Sequence, residues 1–209
     1  MHQHNKDFEQ RGIALDQAKK VMIMVHGRGA DPTGILGLAD HLTLKDFALL
    51  APRAKGNTWY PLSFMAPTAQ NEPGLSSGLA VLQAMVEDVK AVGFTAKDIY
   101  LLGFSQGACL TAEFAARHAE GYGGIFLYSG GLIGPVIDQS NYQGDFAGTP
   151  VVLGCSDVDG HVPLHRVKDT TKVLTEMGAE VNERIYPNAP HTIFPDEIEQ
   201  TNRILQLAD

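Results

Sequence analysis

The segment that decides the fold reads Ile99-Tyr100-Leu101-Leu102-Gly103-Phe104-Ser105-Gln106-Gly107. Its apolar beginning predicts a buried strand, and the residues that follow, 108–118, have the apolar spacing of a helix. Ser105 stands between two glycines where the strand would turn into the helix. Such a sharp turn, called a nucleophile elbow, exposes the serine hydroxyl, and the glycines let strand and helix approach where a Cβ would clash. The segment therefore predicts a nucleophilic serine at the edge of a sheet.

On both sides of this segment, short apolar runs alternate with stretches of helical periodicity. The predicted strands cover residues 21–25, 47–51, 99–104, 125–128, 151–154 and 181–186, and the predicted helices cover 33–43, 75–92, 108–118, 167–177 and 195–207. This alternation predicts an α/β protein with a mostly parallel central sheet and helices on both faces. The chain has 209 residues and shows no repeat or linker, so we expect one domain over residues 1–209.

Composition excludes several classes of function. The net charge is −8, so there is no basic surplus for nucleic acid, and no run reaches the roughly 20 apolar residues of a membrane span. The polar N-terminus has no signal-peptide pattern, which predicts a cytoplasmic protein. His2 and His4 in that polar stretch are given no role. The cysteines Cys109 and Cys155 are expected to be reduced, buried thiols.

A serine hydroxyl is a weak nucleophile until a base accepts its proton, so the elbow requires a histidine and a carboxylate that orients it. In hydrolases with this turn, the order along the chain is serine, acid, histidine. Two carboxylates, Asp157 and Asp159, follow the strand predicted at 151–154 and compete for the role of the acid. His191 lies between the last predicted strand and the last predicted helix and is predicted to be the base.

The tetrahedral intermediate of acyl transfer needs backbone N–H donors, one from the residue after the nucleophile and one from a loop after an early strand. Gln106 is the first candidate, and Arg28 is the second. The Arg28 side chain supports a further hypothesis, in which its guanidinium holds an acidic group of the substrate. A structural ion pair with Asp31 or Glu72 explains the same residue equally well.

The connection over residues 53–74 is too long for a plain turn, which favours a functional loop. Its larger apolar side chains are expected to wall an acyl or alcohol pocket, and they are Trp59, Tyr60, Phe64 and Met65. The alternative is that they only anchor the loop on the domain. An exposed apolar rim around this loop would serve as a lid, as a homodimer contact or as neither, and the sequence leaves these open.

Five segments together match one family. They are His26-Gly27-Arg28-Gly29-Ala30, Trp59-Tyr60-Pro61, Gly103-Phe104-Ser105-Gln106-Gly107, Asp159-Gly160-His161-Val162-Pro163 and Pro190-His191-Thr192-Ile193. With these segments in order, the chain resembles the phospholipase/carboxylesterase family of α/β-hydrolases, which are relatives of acyl-protein thioesterases and bacterial carboxylesterases. The resemblance implies an α/β-hydrolase fold with no large cap domain, and it implies no metal or organic cofactor.

The resemblance also implies a Ser105–Asp159–His191 triad with oxyanion amides at Arg28 and Gln106. It favours Asp159 as the acid, because the family's acid precedes the segment that ends in Val-Pro. The expected activity is that of a serine carboxylesterase, which hydrolyses small to medium carboxylic esters through an acyl-enzyme on the serine. Its expected partner is a small-molecule ester.

Three alternatives remain at the level of the sequence. One is acyl-protein thioesterase or lysophospholipase activity, although thioesterases that act on lipidated proteins carry a small apolar residue where this chain has Arg28. Another is a metal enzyme, with His161 and His165 downstream of Asp157 and Asp159. The last is a non-catalytic binding protein with the hydrolase fold, which measured turnover would exclude.

Overall fold

One seven-stranded sheet runs through the molecule in the computed structural model, which describes residues 3–207. The strands are β1 Phe8–Gly12, β2 Lys20–Val25, β3 Phe47–Pro52, β4 Ile99–Phe104, β5 Gly124–Tyr128, β6 Pro150–Ser156 and β7 Glu180–Tyr186. Their order in the sheet is β1-β3-β2-β4-β5-β6-β7. Only the pair β1 and β3 is antiparallel, and every other neighbouring pair is parallel.

Helices cover both faces of the sheet. They are α1 Pro32–Leu36, α2 Gly74–Ala91, α3 Gln106–Arg117, α4 Leu164–Glu176 and α5 Pro195–Leu207. Successive residues of a strand point to opposite faces, so each buried strand feeds two cores. In β2, Val21, Ile23 and Val25 join the larger core under α2, α3 and α4, whereas Met22 and Met24 join the core under α1 and α5. The predicted mostly parallel sheet with helices on both faces is confirmed.

Two elements differ from the prediction. The edge strand β1 has no counterpart in it, because its sequence Phe-Glu-Gln-Arg-Gly is polar and mostly exposed and lacks the apolar pattern of a core strand. The helix predicted at 33–43 is shorter: α1 ends at Leu36 and continues as the 3₁₀ turn Gly37–His41. Glycines at positions 34 and 37 lower the helix propensity of this stretch.

The parallel strands direct the candidate residues to one edge of the sheet. The carboxyl ends of β2, β4, β6 and β7 lead into the loops that carry Arg28, Ser105, Asp159 and His191. Loops at this edge form the ligand crevice of open α/β sheets. Within residues 3–207 the longer connections at this edge, after β3 and β5, carry only short 3₁₀ turns, and no cap domain is inserted between the strands. In the same part of the chain, none of the helices has both the length and the apolar character of a bilayer-crossing helix.

Candidate active site

The turn from β4 into α3 holds the backbone of Ser105 in a conformation that residues other than glycine rarely adopt. Its φ is 54° and its ψ is −120°, and its backbone N–H donates to the carbonyl of Tyr128 at 2.9 Å. Strain of this kind is tolerated where the surrounding structure fixes it, which is common at active sites. A Cβ at Gly107 would lie 2.2 Å from the carbonyl oxygen of Val25, so the expected close approach of helix and sheet is confirmed.

The structure brings Ser105, His191 and Asp159 into one hydrogen-bonded chain. The serine Oγ lies 2.8 Å from His191 Nε2, and His191 Nδ1 lies 2.6 Å from Asp159 Oδ2. With its Nδ1–H donated to the carboxylate, the imidazole presents Nε2 as the acceptor for the serine hydroxyl. This is the arrangement in which a histidine can take up the serine proton as the oxygen attacks an acyl carbon.

Asp159 is held as a carboxylate on the far side of the histidine. Its side chain is fully buried, and its second oxygen, Oδ1, accepts the backbone N–H groups of His161 and Val162 at 2.8 and 3.0 Å. Burial alone would raise the pKa of Asp159, but the hydrogen bonds from His191 and the two backbone N–H groups outweigh it, so the pKa lies below its ordinary value. The competing carboxylate, Asp157, lies elsewhere: its Oδ1 accepts the N–H of Asn188 at 2.7 Å.

Neighbouring side chains and hydroxyls fix the position of the His191 ring. The ring packs against Phe104 with the ring centroids 5.3 Å apart, and His161 meets it edge to face at 4.9 Å. Ser156 Oγ donates to the carbonyl of Ala189 at 2.7 Å, and Ser129 Oγ donates to that of Thr192 at 3.2 Å. The histidine loop is therefore tied to the ends of β5 and β6 on both sides of its functional residue.

The predicted oxyanion donors, the backbone amides of Arg28 and Gln106, both belong to residues that border the cleft above Ser105. Gln106 is the first residue of α3, where a helix leaves its N–H groups without intrahelical acceptors. Within residues 3–207, neither amide donates to another protein group. Both N–H groups are thus available to a ligand, and their role in binding an oxyanion stays a prediction.

An open cleft of about 620 Å³ reaches the Ser105 hydroxyl and the His191 ring. Two of the predicted wall residues, Tyr60 and Phe64, line it. The structure places Trp59 elsewhere: it is fully buried in the core, and its Nε1–H donates to the carbonyl of His26 at 2.9 Å. A buried indole N–H needs an acceptor, and the carbonyl of His26 supplies it.

Met65 also lies away from the cleft. It is half-buried and packs against the larger core, so it anchors the long loop. Cys109, by contrast, borders the cleft, which its sequence context does not indicate. Burial raises the pKa of this thiol to about 12, so it is protonated at neutral pH and is not a nucleophile. Cys109 and Cys155 are both free and buried, as expected.

Side-chain amides that the sequence did not single out hold the cleft wall. Gln106 Oε1 accepts the N–H of Trp59 at 2.9 Å, and Gln106 Nε2 donates to the carbonyl of Tyr60 at 2.8 Å. Asn71, which is fully buried, accepts the N–H of Leu62 at 2.9 Å and donates to the carbonyl of Ser63 at 2.8 Å. The segment from 59 to 63 is therefore fixed from both sides.

The Arg28 side chain joins this set of anchors and does not form the ion pairs that the sequence left open. Its guanidinium donates to the carbonyls of Pro61 and Leu62 at 2.9 and 2.7 Å. Asp31 instead accepts the N–H of Gly34 and caps α1, and Glu72 bonds the backbone and hydroxyl of Ser76. In the described part of the chain, both carboxylates are thus bonded to groups other than the guanidinium.

Two histidines have structural roles that the sequence did not reveal. His4 is buried, its Nε2 lies 2.8 Å from the carbonyl of Trp59, and its Nδ1 accepts the N–H of Lys55 at 3.0 Å. His26 Nε2 accepts the N–H of Ala54 at 3.1 Å, and burial lowers the pKa of its ring, which favours this neutral form. His2 lies outside the described residues.

The geometry does not support the metal hypothesis. His161 packs on the His191 ring, Asp159 is bonded to that same histidine, and His165 lies in α4. Across the described range 3–207, no three His, Cys, Asp or Glu side chains are grouped so that they could hold a metal ion. Asp159 instead belongs to the hydrogen-bonded chain that ends at Ser105, and His161 packs on the histidine of that chain.

Comparison with known proteins identifies several relatives. A family model described as Phospholipase/Carboxylesterase matches residues 13–208. A crystal structure of a phospholipase/carboxylesterase from Dyadobacter fermentans is 45% identical with a TM-score of 0.96, covering 98% of this chain and 99% of that one. The structure of esterase PE8 is 25% identical with a TM-score of 0.80, covering 96% and 98%. Acyl-protein thioesterase 1 of Saccharomyces cerevisiae is 25% identical over 207 residues, covering 88% of this chain and 91% of that protein.

Proposed function

Because this chain belongs to the phospholipase/carboxylesterase family and has the α/β-hydrolase fold, we propose that it is a serine carboxylesterase that hydrolyses small to medium carboxylic esters. The family makes it a hydrolase of the carboxylesterase and acyl-protein thioesterase type. The observation that carries the finer proposal is the chain of contacts from Ser105 Oγ through His191 to Asp159, at 2.8 and 2.6 Å, at the base of an open cleft.

In the first step, His191 Nε2 takes the proton of Ser105 while the serine oxygen forms a bond to the ester carbonyl carbon. Asp159 holds the Nδ1–H of the imidazole and stabilises the imidazolium that results. The carbonyl oxygen becomes an oxyanion, which the backbone N–H groups of Arg28 and Gln106 bind. Donors fixed in advance at such a position are among the largest contributions to catalysis of acyl transfer.

The tetrahedral intermediate then collapses to an acyl-enzyme. The carbon–oxygen bond to the alcohol breaks, and His191 gives its proton to the leaving oxygen. A water molecule then replaces the alcohol. His191 removes a proton from this water as the water oxygen attacks the acyl carbon. His191 returns the proton to Ser105 as the carboxylic acid leaves. His191 therefore acts first as a base and then as an acid, both when the acyl-enzyme forms and when it is hydrolysed.

The size of the cleft supports small to medium esters. At about 620 Å³ it lies within the range of ordinary small-molecule sites, and it lacks a cap domain over residues 3–207 that would enclose a long chain. Thioesterase activity is the second candidate, because the similarity to acyl-protein thioesterase 1 of yeast spans most of both chains. A thioester carbonyl would pass through the same acyl-enzyme.

Hydrolysis of p-nitrophenyl acetate, butyrate, octanoate and palmitate, by the wild type and by Ser105→Ala, tests the proposal. We expect turnover that is fastest with the shorter esters and that falls by about 10⁴-fold or more in the variant. Palmitoyl-coenzyme A tests the second candidate in parallel. Turnover of the thioester alone would replace carboxylesterase with thioesterase, and absence of turnover with every substrate in folded protein would favour a binding protein.

The cellular location, the oligomeric state and the partner of the enzyme follow as further predictions. A cytoplasmic location and a homodimer both stay predictions, and fractionation of the source cells and light scattering of the purified protein test them. No basic surplus is available for nucleic acid in a chain of net charge −8. A small ester is thus the partner that the proposal requires.

A further inference from the structure

The charge lining the cleft has one sign. Of the residues that border it in the described part of the chain, Arg28 is the one with a permanently charged side chain, and none is Asp, Glu or Lys. Asp159 lies behind His191 with its side chain fully buried. The whole chain has 24 acidic and 16 basic residues. The cleft lining, which contains an arginine and no carboxylate, therefore differs from the acidic average of the chain. Such a surface favours an anionic ligand.

The Arg28 guanidinium keeps both its charge and part of its donor capacity. It donates two hydrogen bonds, to the carbonyls of Pro61 and Leu62, and a guanidinium has five N–H groups. Carbonyl acceptors do not neutralise it, and no carboxylate among residues 3–207 forms an ion pair with it. The two carbonyls also hold its plane against the cleft wall. A fixed guanidinium with free N–H groups is suited to binding a carboxylate.

We propose that Arg28 binds a carboxylate of the substrate, so that the preferred esters are monoanionic, such as half-esters of short dicarboxylic acids. This inference rests on the proposed esterase function and names the substrate class of the same cleft. The carboxylate belongs either to the acyl part or to the alcohol part of the ester. Both sources share one chemistry, and paired substrates distinguish them.

A purely structural role for Arg28 leads to a different expectation. Removing the side chain would free the Pro61 and Leu62 carbonyls and loosen the wall, which would reduce turnover of every ester alike. Asn71 provides the matched control, because it bonds the N–H of Leu62 and the carbonyl of Ser63 and carries no charge. Asn71→Ala therefore loosens the same wall without changing the charge of the cleft.

The experiment compares the wild type, Arg28→Met and Asn71→Ala on matched esters. One pair is p-nitrophenyl hemiglutarate with p-nitrophenyl pentanoate, and the other is 3-carboxyphenyl butyrate with phenyl butyrate. We expect the wild type to favour the anionic member of one pair. In Arg28→Met this preference in kcat/KM falls by about 10- to 100-fold, mainly through KM, as for the loss of a charged hydrogen bond. In Asn71→Ala the preference is retained, and added salt weakens it in the wild type.

Equal losses on both members of each pair in Arg28→Met, or no anionic preference in the wild type, would overturn the inference while leaving the esterase intact. If the wild type hydrolyses none of the four esters, this would instead count against the proposed function. In that case calorimetric titration with monomethyl glutarate decides the inference separately. Binding that Arg28→Met abolishes and Asn71→Ala retains would support it, and absence of binding to the wild type would overturn it.

Discussion

The side chain of Gln106 is bonded to the backbone of Trp59, although 47 positions separate them in the chain. Gln106 Oε1 accepts the Trp59 N–H at 2.9 Å, and its Nε2 donates to the next carbonyl, that of Tyr60, at 2.8 Å. The residue after the nucleophile thus supplies a backbone amide to the cleft and, through its side chain, fixes the wall opposite. The nucleophile elbow and the cleft wall at residues 59–60 are therefore held together by the side chain of Gln106.

Gln106→Ala is therefore expected to reduce both stability and activity, although the variant retains the backbone amide. The variant keeps the N–H of the elbow but leaves two buried backbone groups without partners, which costs about 1–3 kcal/mol for each group. We expect the free energy of unfolding to fall by about 2–6 kcal/mol and kcat/KM to fall with it. Urea denaturation and ester hydrolysis measure the two effects.

The control for this change is Gln83→Ala. Gln83 lies on an exposed face of α2, and its side-chain amide donates to Glu87 at 2.9 Å. Its loss should change the unfolding free energy by less than about 0.5 kcal/mol. A Gln106→Ala protein as stable and active as the Gln83 variant would show that the wall does not depend on the carboxamide.

Asp159→Asn tests which carboxylate orients the base. The amide cannot stabilise the imidazolium and presents an N–H where His191 Nδ1 needs an acceptor, so kcat should fall by about 10⁴-fold. Asp157→Asn is the matched control, since the Asp157 carboxylate accepts the N–H of Asn188. We expect the control to stay within about 3-fold of the wild type. A reversal of the two results would assign the acid to Asp157.

Sequence patterns predicted those parts of the molecule whose signal is local. The runs at β2 and β4 are continuously apolar because both faces of the sheet are covered, and Gly103 and Gly107 mark a close approach that the structure contains. The order of serine, acid and histidine predicted Ser105 and His191 and left Asp157 and Asp159 open, and the family resemblance favoured Asp159, which the fold brings to His191. For the strands and the glycines, neighbouring residues in the sequence carried the information.

The features that sequence reasoning missed depend on contacts between distant segments. Nothing next to Trp59 indicates whether its ring faces the cleft or the core, because the deciding contact is with the carbonyl of His26, 33 positions away. His4 reads as part of a polar tail, yet it is buried against Trp59 and Lys55. The edge strand β1 lacks a core face, so it has no apolar period to detect.

Gly107→Ala tests the packing of the elbow helix on the sheet. The added Cβ would lie 2.2 Å from the Val25 carbonyl oxygen, which is backbone and cannot rotate away. We expect little soluble protein, or a loss of more than about 3 kcal/mol in unfolding free energy. Gly37→Ala is the matched control: its φ is −59°, and a Cβ there meets nothing within 4 Å. That variant should be neutral or slightly stabilised, and equal behaviour of the two would contradict the packing argument.

Glu197 is a buried carboxyl at the start of α5, behind the His191 loop. One of its oxygens, Oε2, accepts the N–H of Phe194 at 2.7 Å, while Oε1 has no hydrogen-bond partner in the described structure. It packs so closely on β6 that a Cβ at Gly154 would lie 2.0 Å from Oε1. Burial raises the pKa of Glu197 to about 8 from an ordinary value of 4.5, and the Phe194 N–H only partly opposes this.

A raised pKa in the folded state makes stability depend on pH in a defined direction. The protonated carboxyl contributes fully below pH 4.5, the unfolded value, and this contribution is lost as the pH rises towards about 8, where the folded protein must bury a charge. Glu197→Gln does not titrate. We therefore expect the variant and the wild type to be similar at pH 4.5 and the variant to be more stable, by a few kcal/mol at most, at pH 8.5.

Urea denaturation at both pH values measures this change. Glu199→Gln is the control, because Glu199 is exposed and pairs with Arg203, and its effect should vary by less than about 0.5 kcal/mol between the two conditions. A Glu197→Gln effect that is the same at both pH values would mean that the buried carboxyl does not change its charge in this range. An effect that grows with pH only for Glu197 assigns to this buried carboxyl the loss of stability that its raised pKa predicts between pH 4.5 and about 8.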